Sequence, residues 1–163
     1  MARGIKNGGE YKNMIIGNTG IQDYKLIDCG GGEKLEQFGD FRIIRPDPRA
    51  IWQKSYPSKW EKGEAIFRGE KWEKKLPVSE WQVAGMILKL TEFRHVGLFP
   101  EQYNNWMWLR EKLSITNYQL PIKILNLFAY TGGATIATVA SNAMVHVTHV
   151  DASKPALMWA SQN

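Results

Sequence analysis

Hydrophobic and polar positions divide the chain into two differently patterned parts. Up to about residue 115, short apolar stretches alternate with polar residues and are separated by glycines and prolines, which is typical of strands joined by tight turns. From residue 122 onward, two nearly continuous apolar runs enclose a stretch of small residues. This second pattern indicates a strand, a helix and another strand.

The first part is predicted to open with a three-stranded meander. Its strands span 24–29, 33–38 and 41–45, because Gly30-Gly31-Gly32 and Gly39-Asp40 supply the positive φ that tight turns require. Asp47 before Pro48 is a plausible start for a short helix that runs through Trp52. The remaining predicted elements are a hairpin over 64–68 and 71–75, a strand over 86–90 and a helix over 100–113 with Trp106, Leu109 and Leu113 on one face.

The second part is predicted to form a βαβ unit. The strand 122–127 leads into the turn 128–133 and a helix whose face is Ala134, Ala137 and Ala140, and the strand 145–150 then ends at Asp151. The two strands should be parallel neighbours in one sheet, joined by a right-handed crossover.

Charge and composition support this division and narrow the class of protein. The chain has 163 residues, 44% of them hydrophobic, which excludes a mainly disordered protein. Residues 1–120 carry 19 basic and 15 acidic side chains, whereas residues 121–163 carry only Lys123, Asp151 and Lys154. We therefore predict a flexible tail over 1–20, a β-rich domain ending in a helix over 21–115, and the start of a Rossmann-like domain over 118–163.

The net charge, the cysteine content and the lengths of the apolar runs indicate which partners and which cellular compartment to expect for the protein. The net charge of +5 fits either a phosphate-rich partner or simple solubility. Cys29 is the single cysteine, which excludes an intramolecular disulfide and a thiolate zinc cluster. There is no signal peptide pattern and no run of about 18 apolar residues, so we expect a soluble, cytoplasmic protein without a membrane partner.

Tryptophan is concentrated in the first part of the chain. Six of the seven tryptophans fall between Trp52 and Trp108, where lysines are also frequent. An aromatic platform for stacking on nucleobases is one interpretation. The preferred interpretation is that these side chains form the core of a small β-rich unit, because they recur at inward-facing spacing.

The turn between the first strand and helix of the βαβ unit is the candidate binding site. Ligands of such units lie beyond the carboxyl ends of the strands, and Gly132 and Gly133 allow close approach to the backbone. Asp151 stands 25 positions after Asn126, close to the spacing expected of an acidic residue that binds ribose hydroxyls. A nucleoside ligand is favoured over an ordinary turn with a surface aspartate.

The turn lacks the features that a dinucleotide ligand requires, and this restricts the choice of nucleoside ligand. It does not contain the G-x-G-x-x-G pattern, and the aromatic side chains of Phe128 and Tyr130 stand where a dinucleotide pyrophosphate needs space. This disfavours NAD and FAD. S-adenosylmethionine has no phosphate and carries an adenine that can pack against an aromatic ring.

Four runs of residues resemble those of class I S-adenosylmethionine-dependent methyltransferases, and in particular the group related to bacterial 23S ribosomal RNA methyltransferases. They are Asn-Leu-Phe-Ala-Tyr-Thr-Gly-Gly at 126–133, Val-Asp-Ala-Ser at 150–153, Phe-Arg-His-Val-Gly-Leu-Phe-Pro-Glu-Gln at 93–102, and Leu-Glu-Gln-Phe-Gly at 35–39 with Arg45-Pro46. The resemblance covers about residues 24–163.

The resemblance implies a cofactor, S-adenosyl-L-methionine, and a ribosomal RNA substrate. It implies that the turn lines the methionine and adenosine of the cofactor and that Asp151 binds the ribose, while segment 99–102 covers the cofactor, with Gln102 as a weaker candidate contact. The implied turn residues are Phe128, Ala129, Tyr130, Thr131, Gly132 and Gly133.

Of the three histidines, one is a candidate for a catalytic role. His95 could act as a general base, but no partner is visible in the sequence and a structural role is preferred. His146 and His149 alternate on the second predicted strand, as packing or surface residues would, and we expect no metal site. The catalytic residues remain unknown at this point.

The resemblance also implies that only part of the methyltransferase fold is present. The family's domain has a seven-stranded sheet, whereas this chain reaches only the first βαβ unit, and the fourth-strand Asp-Pro-Pro motif has no counterpart. We therefore expect a truncated chain whose acceptor-binding residues lie beyond Asn163. The alternatives are a non-catalytic RNA-binding or assembly module and, less favoured, an NAD-binding βαβ fragment.

Overall fold

The computed structural model describes residues 20–114, 121–141 and 144–163. The predicted tail over 1–20 lies outside the described residues except for Gly20, as does the predicted boundary between 115 and 118. The strands are β1 (Tyr24–Gly30), β2 (Glu33–Phe38), β3 (Phe41–Pro46), β4 (Ala65–Arg68), β5 (Lys71–Lys74), β6 (Trp81–Val83), β7 (Met86–Leu88), β8 (Ile122–Leu127) and β9 (Val145–Val150). The helices are α1 (Pro57–Trp60), α2 (Tyr103–Ser114), α3 (Gly133–Val139) and α4 (Lys154–Ala160).

The first part of the chain folds around a five-stranded sheet in the order β1-β2-β3-β4-β5. The meander is confirmed, since β1, β2 and β3 pair antiparallel in sequence. The predicted hairpin is also confirmed as β4 and β5, and β4 lies parallel to β3. Side chains alternate between two cores, with Phe38 and Ile43 on one face and Leu35 and Ile44 on the other.

The helix predicted from Asp47 through Trp52 is wrong. The backbone amides of the glycine turn donate hydrogen bonds to carbonyl oxygens of this segment. Gly32 N donates to Ala50 O at 2.8 Å, and Gly31 N donates to Trp52 O at 2.7 Å. The Asp47 carboxylate, which was expected to cap the helix, does accept from Arg49 N at 3.3 Å and from the Arg49 side chain at 3.0 and 3.1 Å, but no helix begins there. Pairing with the turn therefore overrides the local helix-start signal.

Two other elements differ in detail from their predictions. The strand expected over 86–90 is the shorter β7, which pairs antiparallel with β6, a strand that the sequence analysis missed. The helix expected over 100–113 begins as a 3-10 turn, Pro100–Gln102, and continues as α2.

The second part forms the predicted βαβ unit. Strands β8 and β9 are parallel and remain in register from Ile122 opposite Val145 to Leu127 opposite Val150. Helix α3 connects them and packs against α2. The expected alanine face is only partly found, since Ala140 is exposed at the end of α3 and Thr138 is its buried residue.

The tryptophans are divided between core and surface. Within the stretch from Trp52 to Trp108, two indoles are buried and two half-buried, as the core interpretation predicts. Trp52 and Trp108 are the exceptions, at 55% and 57% exposed. The buried pair is Trp60 and Trp72, and the half-buried pair is Trp81 and Trp106.

Candidate functional site

A cleft of about 520 Å³ lies where β8 ends. One wall is the end of β8 and the turn into α3, and the facing wall comes from residues 97–106, which precede and begin α2. This is the edge at which parallel α/β sheets bind their ligands. The lining residues are Met86, Gly97, Leu98, Phe99, Glu101, Gln102, Trp106, Asn126, Leu127, Phe128, Ala129, Tyr130, Thr131, Gly133 and Ala134.

The turn between β8 and α3 has an unusual backbone. Phe128 and Tyr130 have φ values of 54° and 52°, in the left-handed region that bulky residues rarely adopt, and Gly132 follows at 98°. Such conformations cost about 1–2 kcal/mol per residue and persist where surrounding contacts enforce them. Here Ala129 N donates to Val150 O, and Gly132 N donates to Ala129 O, each at 3.1 Å.

Asp151 fixes this turn from the end of β9. Its Oδ2 accepts a hydrogen bond from Tyr130 N, and its Oδ1 accepts one from Ser153 N, both at 2.8 Å. These backbone hydrogen bonds hold the pKa of Asp151 below its ordinary value, so the carboxylate is charged at neutral pH. The carboxylate therefore braces the turn whose residues line the cleft.

Thr131 connects the turn to the opposite wall. Its side chain is buried and donates to Gly97 O at 2.6 Å. Its carbonyl accepts from the Asn163 side chain at 2.8 Å. Gly97 has a φ of 98° and lies so close to the Trp159 indole that a Cβ there would stand 2.3 Å from a ring carbon. A buried hydrogen bond thus joins the two walls, and the facing wall also packs closely against α4 through Gly97 and Trp159.

Aromatic rings cover much of the cleft. The rings of Phe99 and Tyr130 lie 5.0 Å apart, and Phe99 also contacts the His95 ring at 5.3 Å. Trp106 packs over Gly133, where a Cβ would stand 2.6 Å from the indole. Aromatic faces of this kind pack against planar rings and attract cations.

Some of the predicted site residues line the cleft, and the others lie outside its lining. Five of them line the cleft, whereas Gly132 and Asp151 do not. The ring of Phe128 is 91% exposed at the rim, and Gln102 lines the opposite wall, where its Oε1 accepts from Asn105 Nδ2 at 2.9 Å. The five lining residues are Phe128, Ala129, Tyr130, Thr131 and Gly133.

Three of the lining residues were not predicted as site residues from the sequence. Trp106 comes from the opposite wall, and Ala134 is the second residue of α3. Asn126 could have been found, because it is the polar residue near the end of a predicted apolar strand. Its Nδ2 donates to Thr135 Oγ1 at 2.9 Å, which ties β8 to α3.

His95 occupies a half-buried position beside the cleft. Burial lowers the pKa of its ring from the ordinary value, and the charges of Arg45, Arg94 and Lys34 lower it further. Its carbonyl accepts from Thr91 Oγ1 at 2.8 Å, which fixes the local backbone. Burial and these charges therefore favour the neutral form of the ring.

We expect His95 to titrate below 6.5, the ordinary histidine value. Because the unfolded chain takes up this proton at higher pH, stability should begin to fall as the pH drops below about 6.5. An NMR titration of the histidine ring protons tests this, with His95→Gln assigning the signal and the urea-unfolded chain as reference. A midpoint at or above that of the unfolded chain contradicts the expectation.

The other histidines have different surroundings. His149 Nδ1 lies 2.9 Å from Thr135 Oγ1, whereas His146 is exposed. Across the ranges that the structure describes, no group of three or more histidine, cysteine, aspartate or glutamate side chains could hold a metal ion. No helix in these ranges has the length and apolar character needed to cross a membrane.

Comparisons with known proteins give matches among solved structures. No protein-family model matches the chain, and no curated protein matches it. The chain is similar to the SAM-dependent methyltransferase from Agrobacterium tumefaciens, with 40% identity and a TM-score of 0.79 over 86% of this chain and 47% of that one. It therefore spans about half the length of that protein.

A second solved structure shares the fold at lower identity. It is a candidate SAM-dependent methyltransferase from Streptococcus mutans, with 16% identity and a TM-score of 0.59 over 86% of this chain and 42% of that one. These two structural neighbours are SAM-dependent methyltransferases by name, and the chain shares a mixed α/β fold with them.

Proposed function

We propose that the cleft binds S-adenosylmethionine and that the chain serves an S-adenosylmethionine-dependent methyltransferase acting on ribosomal RNA. S-adenosylmethionine is the expected cofactor because both structural neighbours are SAM-dependent methyltransferases. The observation that carries the proposal is the left-handed turn 128–132 at the end of β8, braced by Asp151 and facing an aromatic wall.

The cleft suits this cofactor in size and chemistry. Its volume of about 520 Å³ is within the range of about 300–1,000 Å³ that small-molecule sites occupy. Phe99, Tyr130 and Trp106 offer aromatic faces for an adenine and for a sulfonium cation, and Glu101 adds a carboxylate on the wall opposite Tyr130. When bound, the cofactor supplies an activated methyl group on its sulfonium.

The turn residues hold the ligand in this proposal, and Asp151 contributes in two ways. Each Asp151 oxygen accepts one backbone hydrogen bond, so each keeps a lone pair that can accept from a ribose hydroxyl. The same carboxylate positions Tyr130, whose ring forms part of the cleft. The proposed contacts are Phe128, Ala129, Tyr130, Thr131, Gly132 and Gly133, with Asp151 on the ribose.

Ribosomal RNA as the methyl acceptor is supported by the sequence resemblance and by the net charge of +5. An RNA substrate of this kind would place the protein in the cytoplasm. The proposed division into a β-rich domain over 21–115 and a Rossmann-like start over 118–163 assigns the cofactor mainly to the second part.

Trp106 provides a direct test because its indole lines the cleft. We expect S-adenosylhomocysteine to change the tryptophan fluorescence with saturation, whereas NAD should not. Trp106→Phe should remove most of this change, and Trp108→Phe, which alters an exposed indole on the same helix, should retain it. Equal responses to both ligands, or a response independent of Trp106, would count against the proposal.

A further inference from the structure

A second cavity adjoins the cofactor cleft and is rich in positive charge. It has a volume of about 360 Å³, and we call it the cationic pocket because Lys34, Arg45, Arg49 and Arg94 all line it. It shares two residues, Phe99 and Glu101, with the cofactor cleft. A molecule in this pocket would therefore lie next to a molecule in the cleft.

Part of this positive charge is already neutralised. Arg45 donates two hydrogen bonds to the buried Glu36 carboxylate, at 2.8 and 3.0 Å, and Lys34 lies 3.4 Å from the same carboxylate. Arg49 pairs with Asp47, which also lines the pocket.

Arg94 differs from the other cations of the pocket. No ion pair links its guanidinium to any residue in the described ranges, and the residue is exposed. Its carbonyl accepts from Arg45 Nη1 at 3.1 Å, which anchors its backbone at the pocket. The pocket thus presents a guanidinium that is available for an anionic ligand.

The ring of His95 lies within reach of the charges of this pocket. Its ring lines the pocket, and three of the pocket's cations lower its pKa in addition to the effect of burial. Each of these three cations has a larger effect on the pKa than the Glu101 carboxylate, which raises it, so the net effect of the neighbouring charges is that of positive charge. Phosphate groups are the anions that clusters of arginine and lysine recognise most effectively.

A third cavity continues from the cationic pocket and adds an aromatic surface. It has a volume of about 290 Å³ and shares Lys34, Asp47 and Arg49 with the cationic pocket. Trp52 lines it and is 55% exposed, while its Nε1 donates to Cys29 O at 2.7 Å. The indole is therefore held in place with much of its surface open to solvent.

We infer that these two adjoining cavities bind a single-stranded segment of the RNA acceptor, with a phosphate beside Arg94 and a base stacked on Trp52. Proteins that bind single strands combine a cationic groove with aromatic side chains in this way. A free inorganic anion has no planar ring that could stack on the indole. The shared wall at Phe99 then directs the neighbouring nucleotide toward the cofactor cleft. This inference rests on the proposed function for the identity of the acceptor.

The test measures binding of a fluorescein-labelled, mixed-sequence single-stranded RNA by anisotropy at several salt concentrations. Arg94→Gln should weaken binding and reduce the slope of log affinity against log salt by about 0.7, as expected for one lost phosphate contact. Lys71→Gln removes the same charge from an exposed position on β5 and is the matched control. It should leave the affinity within about twofold of wild type, since a distant surface charge contributes little.

Trp52 is tested in the same assay by two variants. Trp52→Leu should weaken RNA binding by about 5- to 100-fold without changing the salt slope, and Trp52→Phe should recover part of this loss because it restores a stacking face. Trp108→Leu alters an indole of nearly the same exposure, 57%, on α2 and should bind RNA like wild type.

Variants of Arg94 and Trp52 that behave like their controls would overturn the inference. Adenosine monophosphate that binds as tightly as the RNA would also overturn it, because the site would then take a free nucleotide. Titration with S-adenosylhomocysteine separates the two proposals. RNA binding that depends on Arg94 and Trp52 without S-adenosylhomocysteine binding would support the RNA surface and reject the proposed function. The reverse result would reject the RNA surface alone.

Discussion

Gly97→Ala should destabilise the protein by about 2–5 kcal/mol, a large part of the total stability of a small domain. The added Cβ would stand 2.3 Å from a ring carbon of the buried Trp159, and the φ of 98° is unfavourable for any residue with a side chain. Trp159 cannot move freely, because its Nε1 donates to Ile87 O at 2.9 Å. Urea unfolding followed by circular dichroism measures the loss.

A matched glycine separates the two causes of this loss. Gly69, in the turn between β4 and β5, has a φ of 60°, and no heavy atom lies within 4 Å of the position that a Cβ would take there. Gly69→Ala therefore introduces the backbone strain without the collision, and it should cost about 1–2 kcal/mol. Equal losses for both variants would show that the close contact between Gly97 and Trp159 adds nothing to the cost of the backbone strain.

Asp151→Asn should lower the affinity for S-adenosylhomocysteine by about 10- to 100-fold. The asparagine amide has one acceptor oxygen, so it cannot accept from both Tyr130 N and Ser153 N as the carboxylate does. A lost charge-assisted hydrogen bond is worth about 1.5–3 kcal/mol, and the released turn contains two residues in unfavourable backbone conformations. Calorimetric titration of the variant and wild type measures the difference.

The control variant for Asp151→Asn is Ser153→Ala, two residues further along the chain. Ser153 Oγ accepts from Ala156 N at the start of α4, so Ser153→Ala weakens the helix by about 1 kcal/mol but keeps the carboxylate. Its affinity for S-adenosylhomocysteine should stay within about threefold of wild type. If Ser153→Ala and Asp151→Asn reduce the affinity equally, the effect comes from α4 and not from the turn.

The stabilisation of the turn by the Asp151 carboxylate depends on pH in a defined direction. The pKa of Asp151 is lowered below the ordinary value of 3.8 by its backbone hydrogen bonds, so the charged form is favoured in the folded chain. Its contribution to stability is present above that ordinary value and is lost as the pH falls through the lowered pKa. Binding of S-adenosylhomocysteine should therefore not depend on Asp151 protonation between about pH 5 and pH 8.

Elements with strong local signals could be predicted from the sequence. The glycine turns of the meander and the two apolar runs of the βαβ unit each point to a single backbone arrangement, and both are present. The hairpin of β6 and β7 was missed because each strand has three residues and its turn contains Ala84 at a φ of 51°, where glycine would be expected.

Long-range contacts explain most of what could not be predicted. The segment after Asp47 has a helix-start signal, yet it pairs with the glycine turn instead. Trp106 is distant from the turn in sequence and reaches the cleft only because α2 packs on α3. The motif indicated that the turn 128–133 matters, but not that Phe128 and Tyr130 adopt the backbone conformation normally left to glycine.

Calorimetric titration with S-adenosylhomocysteine tests the proposal that the cleft at the end of β8 binds S-adenosylmethionine. Ala134 lines the cleft, so Ala134→Trp should block binding, whereas Val139→Trp, on the same helix but 48% exposed and outside the lining, should not. We predict saturable binding at one site by wild type and Val139→Trp, none by Ala134→Trp, and no heat with NAD. A folded wild-type chain that binds no S-adenosylhomocysteine, or an Ala134→Trp variant that binds it unchanged, would contradict the proposal.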